Sequence, residues 1–547
     1  MNRKSRTPSI LRVALAGVLA MLGCLACIAQ VNVYTQRNDN SRTGANLHET
    51  ILTPRNVNSK QFGRLFKVVV DGQVYTQPLY VSRLDMGAKG KHNVVFIGTM
   101  NNTIYALDAD KGDVLWKANF GRPVLAGDVE HMFNITRGSG IGILSTPVID
   151  PDTDTIYFFS RNEQGQGASG VFTQWLNALD IRTGEPRQGS HVQVTATYTD
   201  ADGTFTFDPR IQNQRAALTL ANGKVYISWA SNDDLGLYHG WVISYDAKTL
   251  KQQDVYVDTP SGIQGGIWQS GQGLTVDAQG NLLISTGNGS FGTSPKGVPQ
   301  TGNSFIKLSA DLKLLDYFTP YDSEALNRDD ADLGSAGLLL VPGTNYIISG
   351  GKQGYLYVVD STNMGKFDPA KNHVNQFFHA VYGKNSSNIH AGPVYFDSAV
   401  NGPTVYLWGE NDFLRAYHFD PKAGMLTTEP FAKSAMTAPA INANGAMPGG
   451  FYSVSANGKE DGIVWASTPY NDNAQQKRVP GVLYAFDANT LKVLWSDKQN
   501  PARDEGGYFP KFVDPTIADG KVFIPNFGSL HTPDGSGELN VYGLLPH

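Results

Sequence analysis

Residues 93–116, NVVFIGTMNNTIYALDADKGDVLW, decide the fold. Two runs of strand-forming residues flank an Asn-Asn turn, and an Ala-Leu-Asp ending, a Gly turn and a short strand closed by Trp116 follow them. Near the end of the chain, residues 482–495, VLYAFDANTLKVLW, repeat the second half of this unit. A unit that recurs at such a distance predicts a repeat architecture.

Weaker copies of the unit lie between and beyond these two. The residues that mark the copies are 49 to 72 positions apart: Asp108, Asp180, Asp246, Asp311, Asp360, Asp420, Asp487 and Tyr542. No long amphipathic helical pattern separates them, so eight four-stranded units predict an all-β fold, an eight-bladed β-propeller. We expect the strand Phe62–Val70 to pair beside Leu539–Leu544, since closing the ring removes free sheet edges.

Composition excludes several classes of protein. Only 17% of the 547 residues are charged, which is too few for a disordered chain or a coiled coil. The net charge is −5, and four of the basic residues lie in an N-terminal leader without acids, so the rest is more acidic still. Such a chain has no electrostatic reason to bind nucleic acid or an anionic membrane.

The first 29 residues have the pattern of a secretory signal peptide. Basic residues up to Arg12 precede an apolar run, and small residues lead to a cleavage site before Gln30. Residues 30–547 are then one propeller domain, which is periplasmic or secreted and has no transmembrane segment. An alternative is a lipoprotein that is anchored through Cys24. Cys24 and Cys27 are the two cysteines of the sequence, so residues 30–547 contain no disulfide.

The pattern Ala-Leu-Asp-x-x-x-Gly-x-x-x-Trp resembles the repeat of the pyrroloquinoline quinone (PQQ) dehydrogenases, in an uncharacterised secreted branch. The resemblance covers about Val33 to Leu545 and includes the opening Asn38–Val57. It implies that each Trp docks against the Gly turn of a neighbouring blade. It leaves activity open, because non-catalytic outer-membrane assembly lipoproteins share the repeat.

Two stretches are similar to those that hold the cofactor and calcium in this family. In residues 265–291 the resemblance implies that Trp268 forms the floor under PQQ and that Asn288 lies near the calcium ion. In residues 223–246 it implies that Asp234 supplies a calcium carboxylate where the family has Glu.

Three further positions follow from the same resemblance. Lys352, in GKQGYLYVVD, is implied to contact the cofactor, and Arg137 to pair with one of its carboxylates. The catalytic base is implied to lie in the run Asp329-Asp330-Ala331-Asp332, and its register leaves both Asp330 and Asp332 open.

The chain also departs from the family. The region His131–Gly138 has no adjacent cysteines above the cofactor, and no Cys-x-x-Cys-His motif for haem exists. Electrons would therefore leave through a separate acceptor.

Two hypotheses of function follow. The first is an exported oxidoreductase that oxidises an alcohol, sugar or aldehyde with PQQ and calcium. The second is a non-catalytic propeller scaffold of the cell envelope, which binds a protein or polysaccharide. The first requires Asp234, Asn288, Lys352 and Asp332 to converge around Trp268.

Overall fold

The computed structural model describes residues 31–129, 140–384, 386–441, 445–529, 531–533 and 535–546. The predicted signal peptide and Arg137 lie outside these ranges. Among the described residues, no helix is both long and apolar enough to cross a membrane.

The strands form an eight-bladed β-propeller, as predicted. The main strands of each blade form an antiparallel meander, in which consecutive strands lie side by side, whereas the added strands Ala45–Asn46 and Lys366–Phe367 pair in parallel with their neighbours. The strands of the first blade are Asn32–Val33, Leu79–Asp85, Lys91–Gly98, Thr103–Asp108 and Val114–Asn119. Those of the second are Val148–Asp150, Thr155–Gln164, Val171–Asp180 and Val192–Gln193. Those of the third are Gln212–Gln214, Thr219–Ala221, Lys224–Ser231, Trp241–Asp246 and Gln252–Val257.

The next three blades continue this arrangement. The strands of the fourth blade are Thr275–Val276, Leu282–Ser285, Phe305–Leu308, Leu314–Thr319 and Lys366–Phe367. Those of the fifth are Leu339–Leu340, Tyr346–Gly350, Tyr355–Asp360 and Gln376–His379. Those of the sixth are Val394–Ser398, Gly402–Leu407, Phe413–Asp420, Met425–Leu426 and Ala432–Thr437.

The last two blades combine both ends of the described chain. The strands of the seventh blade are Ala45–Asn46, Phe451–Asn457, Glu460–Pro469, Gly481–Asp487 and Val493–Ser496. Those of the eighth are Thr516–Ala518, Lys521–Asn526, Gly537–Leu544 and Phe62–Val70. In the eighth blade, Phe62–Val70 runs antiparallel to Gly537–Leu544.

Smaller elements decorate the loops. Three hairpins lie outside the blades: Val124–Leu125 with Gly140–Ile141, Thr197–Thr199 with Thr204–Thr206, and Phe291–Thr293 with Pro299–Thr301. The described helices are two α-helices, Ser323–Arg328 and Pro501–Asp504, and four 3₁₀ turns, Gly87–Lys89, Gly167–Ser169, Gln269–Gly271 and Leu333–Ser335.

The strands of a blade are counted along its main meander, so the added strands Asn32–Val33 and Ala45–Asn46 are left out, and Gln212–Gln214 with Thr219–Ala221 counts as one first strand. Counted in this way, the marker residues of the repeat lie in the third strand of each blade or in the turn that follows it. Six of them have the same local role, because their carboxylates accept hydrogen bonds from backbone N–H groups of the turn: Asp108, Asp180, Asp246, Asp360, Asp420 and Asp487. Asp108, for example, accepts from the backbone N–H groups of Asp110 and Lys111. An Asp that satisfies the backbone of a tight turn favours that turn over continued strand.

Trp116 docks on the following blade, as the resemblance implies. Its indole N–H donates to the carbonyl of Ile181 at 2.8 Å. A Cβ atom at Gly184 would lie 2.8 Å from the indole ring, so glycine lets the ring pack directly on the turn. Trp116 is thereby part of the hydrophobic core that lies between the first and second blades.

Residues 34–44, which we call the N-terminal plug, lie across the centre of the ring. Carbonyl groups of the plug accept backbone hydrogen bonds from the first strands of five blades. The donors are Ile149, Val276, Leu340, Tyr395 and Val454, and the acceptors are Tyr34, Asn40, Ser41, Thr43 and Gly44. The buried Arg42 adds hydrogen bonds to Leu274 and Thr219. The plug therefore ties the blades together at the level of their first strands.

Candidate functional site

A cavity of about 940 Å³, part of it open to solvent, lies at the beginning of the first strands. Two sets of loops build it: the loops that precede the first strands, and the loops between second and third strands. The first set supplies Tyr75, Asn213, Arg215, Trp268, Ser270, Asp330, Asp332, Ser335, His390, Met447, Lys511 and Phe512; the second supplies Ser231, Asp233, Asp234, Lys352 and Gln475. Loops of this kind present side chains that a rigid sheet scaffold positions.

Trp268 stands in this cavity at the start of a tight turn. The two residues after it, Gln269 and Ser270, both have φ of 45°, a left-handed conformation that is rare outside glycine. The Gln269 side chain holds the turn by donating to the carbonyl of Gln272 and accepting from the N–H of Ser285. Backbone strain that surrounding contacts hold in place is typical of functional sites. The half-buried indole is thereby fixed against the ring of Tyr238.

Gly287 brings Trp268 and Asp332 together. A Cβ atom at this position would lie 2.5 Å from Oδ1 of Asp332 and 2.8 Å from Cδ1 of Trp268. Both side chains therefore pack against bare backbone, which any larger residue would obstruct. The next N–H, that of Asn288, donates to Oδ1 of Asp332 at 2.7 Å.

Lys352 faces two carboxylates. It lies at the tip of the hairpin between the strands Tyr346–Gly350 and Tyr355–Asp360, and its ammonium group is 2.6 Å from Asp332 and 3.0 Å from Asp330. Burial lowers the pKa of Lys352, but the charges of the two aspartates outweigh burial and raise the pKa above its usual value. The side chain of Asp332 is 11% exposed and that of Asp330 is 72% exposed.

Asp234 completes the acidic side of the cavity. Its carboxylate accepts a short hydrogen bond from the hydroxyl of Tyr238. Loss of hydration raises the pKa of Asp234 to about 6, and the charge of Asp332 adds to this, while the Tyr238 hydroxyl and Lys352 oppose it. Carboxylates whose pKa is shifted in a cavity are candidates for chemistry.

The side chains implied to bind calcium are engaged in other contacts. The Asn288 amide donates to Asp330 and accepts from Asn303, and Asn288 does not line the cavity. Within the described residues, no group of three or more His, Cys, Asp or Glu side chains could hold a metal ion. Lys352 supplies the positive charge beside Asp330 and Asp332 instead. A positive charge already lies beside Asp330 and Asp332, so we assign calcium no role at these two carboxylates, and the calcium-binding roles implied for Asp234 and Asn288 stay predictions.

The sequence therefore anticipated one side of the site. Trp268, Asp234, Asp330, Asp332 and Lys352 line one cavity, and Asn288 lies directly behind it. Arg137 lies outside the described residues.

Sequence reasoning missed the other side of the cavity. This side is lined by Arg215, Lys511 and Phe512, and no sequence motif pointed to them. His390 also lies there, and its Nε2 is 3.1 Å from the buried Glu410 carboxylate. The signal was positional: Arg215, His390 and Lys511 come a few residues before a first strand, as Trp268 does. Phe512 has φ of 68°, an outlier for a bulky side chain.

Comparison with solved structures shows which known proteins have a similar fold. The quinohemoprotein alcohol dehydrogenase ADHIIG from Pseudomonas putida HK5 matches with a TM-score of 0.54 and 14% identity, over 94% of this chain and 80% of that chain. The fold is that of the quinoprotein propellers. A europium-containing methanol dehydrogenase matches this quinoprotein fold over 94% of this chain and 98% of its own, with a TM-score of 0.54 and 14% identity.

A third similar structure is BamB from Moraxella catarrhalis, with a TM-score of 0.49 and 12% identity over 88% of this chain and 99% of that chain. No family model and no curated protein matches the sequence. At these identities the likeness establishes the quinoprotein fold, and function has to be argued from the cavity.

Proposed function

We propose that the chain is a quinoprotein oxidoreductase that binds PQQ in the cavity and oxidises an alcohol, sugar or aldehyde. The observation that carries this proposal is the convergence of Trp268, Lys352 and Asp332 on one cavity. Three separate stretches of sequence, on loops of the fourth and fifth blades, supply these side chains. A concave site with an aromatic wall and a few convergent charged groups is the usual form of a small-molecule site.

The side chains of the cavity suit PQQ, which is a flat ring system with carboxylates. Trp268 offers an aromatic face, and Lys352, Arg215 and Lys511 offer positive charge. The hydroxyl of Tyr75 is buried and has no hydrogen-bond partner among the described residues, so a polar ligand atom can satisfy it. When bound, PQQ supplies a quinone that accepts the electrons of the oxidation.

Asp332 is the residue that we assign as general base. Its carboxylate is oriented by the N–H of Asn288 and by Lys352, and it borders the cavity beside Trp268. A base held in this way accepts the proton of a substrate hydroxyl as that group is oxidised. Asp330 is less suited, because its side chain is mostly exposed and water competes for it. Lys352 offsets one of the two negative charges of Asp332 and Asp330.

Dye-linked turnover tests this proposal. The purified protein is loaded with PQQ, with and without calcium, and offered alcohols, sugars and aldehydes with an artificial electron acceptor. We expect PQQ-dependent dye reduction with at least one substrate class. Asp332→Asn, which keeps the shape of the side chain, should bind PQQ but not turn over. If no substrate reduces the dye although PQQ is bound, the oxidoreductase proposal is wrong.

We also propose that the protein is exported through its N-terminal leader. The basic and apolar composition of residues 1–29 supports this. Mass spectrometry of the mature protein from an expressing cell tests it. A mature N-terminus at Gln30 is expected, whereas a lipid-modified N-terminus at Cys24 would show that the anchored alternative is correct.

A further inference from the structure

Two positively charged side chains line the cavity with no carboxylate of the described residues in direct ion-pair contact. Arg215 precedes the strand Thr219–Ala221, and Lys511 precedes Thr516–Ala518. Lys511 is only 5% exposed. Within the described part of the chain, neither side chain makes a hydrogen bond or an ion pair. Both pack on the ring of Phe512, with Cζ of Arg215 4.4 Å and Nζ of Lys511 4.9 Å from its centre.

Such a pair is costly in the free protein. A buried ammonium group without a counter-charge loses hydration that no other contact restores, and a second cation nearby adds repulsion. Burial, followed by the charge of Arg215, lowers the pKa of Lys511 to about 7, although Glu410 and Asp233 oppose this. Glu410 already accepts from Ser386 and lies against His390. An anion between the two cations would remove the cost.

We infer that Arg215 and Lys511 hold a carboxylate group of the ligand that occupies the cavity. The Arg215 guanidinium lies over the Phe512 ring and has no hydrogen-bond partner among the described residues, so its N–H groups are available for the planar, two-pronged contact that carboxylates make. The inference rests on the proposed function only for the identity of the ligand. The carboxylate belongs either to PQQ itself or to an acidic substrate, such as a sugar acid.

Binding measurements on matched variants separate these sources. Arg215→Gln and Lys511→Met each remove one charge, and Lys422→Met removes a charge from an exposed turn as the control. Calorimetry then measures PQQ, D-glucuronate and D-glucose, the sugars both with and without PQQ. Glucuronate and glucose differ only in a carboxylate at C6, so their ratio reports recognition of the anion.

Two results support the inference. If the carboxylate is that of PQQ, both variants weaken PQQ binding by roughly tenfold to a hundredfold, as loss of a charged hydrogen bond does. If it belongs to the substrate, PQQ binding is unchanged, and the preference for glucuronate over glucose falls by the same factor. The Lys422→Met control should match the wild type in both measurements.

Anion affinity measured over a range of pH gives a second test, because a purely structural role of Lys511 would not make the affinity depend on pH. Anion affinity of the wild type should fall between pH 6 and pH 8.5, as Lys511 loses its proton. Lys511→Arg should keep the affinity and lose this pH dependence, because a guanidinium stays charged. His390→Asn should retain the pH dependence, which excludes His390 as its source.

The inference is overturned if Arg215→Gln and Lys511→Met, both folded, bind PQQ and glucuronate as the wild type does. It is equally overturned if the wild type binds no carboxylate at all. If the protein binds glucuronate but not PQQ, the carboxylate site is supported and the proposed PQQ-dependent function is wrong. Failure of the inference and failure of the proposed function therefore give different results.

Discussion

The ammonium group of Lys352 lies 2.6 Å from a carboxylate oxygen of Asp332. The pair joins the hairpin of the fifth blade to the loop that precedes the first strand of the same blade. Burial lowers the pKa of Lys352, but the charges of Asp332 and Asp330 outweigh burial and raise the pKa above its usual value, which favours the charged ammonium form. Asp332 therefore faces a positive charge next to the indole of Trp268.

Replacement of either aspartate should separate their roles. We predict that Asp332→Asn lowers turnover about a thousandfold with little change in PQQ affinity, since it removes the proposed base. Asp330→Asn should lower turnover only a few-fold, because that side chain is mostly exposed. Steady-state kinetics with the artificial acceptor checks both. Equal losses in the two variants would contradict the assignment of the base.

Gly287→Ala should disturb the site through shape alone. The added methyl group would meet both Asp332 and Trp268, so we expect weaker PQQ binding and a loss of about 2 kcal/mol in the free energy of unfolding. Calorimetry and urea denaturation measure the two effects. Gly127→Ala is the control for backbone effects of glycine removal, because its φ is not in the left-handed region and no atom would meet its Cβ. Unchanged PQQ binding in Gly287→Ala would show that Trp268 and Asp332 do not need this close approach.

Two tryptophans should respond in opposite ways. Trp116→Ala removes a buried ring between blades, so we predict a loss of about 3 to 5 kcal/mol in stability, with PQQ affinity retained in the folded fraction. Trp268→Ala should cost about 1 kcal/mol in stability, because the ring is half-buried, but should abolish PQQ binding. Denaturation and titration of both variants provide the comparison. A stability loss without a binding loss at Trp268 would make it a structural residue.

Stability at different pH values tests the environment of Lys511. Its pKa of about 7 lies below the ordinary value of 10.5, so between these limits the unfolded state holds a proton that the native state lacks. Stability without ligand should therefore rise with pH across that window. Lys511→Met should lack this rise and be more stable at pH 6, by on the order of 4 kcal/mol.

Urea denaturation from pH 6 to pH 9 makes the measurement, with Lys422→Met as the control. A Lys511→Met variant that is less stable than the wild type at pH 6 would show that the ammonium group has a partner.

The fold could be predicted because its signal is local and repeated. Asp108 and its counterparts satisfy the backbone of the turn after the third strand, and Trp116 packs on a glycine of the next blade. Both interactions depend on residue type at fixed spacing. The plug could not be predicted in this way, since it binds the blades mainly through backbone carbonyls, which every residue has.

The site was predictable where a motif fixed it. Trp268, Lys352 and Asp332 lie in stretches that resemble a known family, and the structure brings them to one cavity. The choice between Asp330 and Asp332 needed burial and hydrogen bonding, which a run of acids does not reveal. Arg215 and Lys511 are distant in sequence, and only the closure of the ring makes them neighbours across Phe512.

The central claim is that this cavity binds PQQ on Trp268. Titration of PQQ into the wild type and into Trp268→Ala, followed by calorimetry and by the absorbance of the cofactor, tests it most directly. Calcium is included in one series and chelated in the other. We predict saturable, one-to-one binding to the wild type in both series and none to Trp268→Ala. No binding to the wild type in either series, or equal binding to a folded Trp268→Ala, would contradict the account.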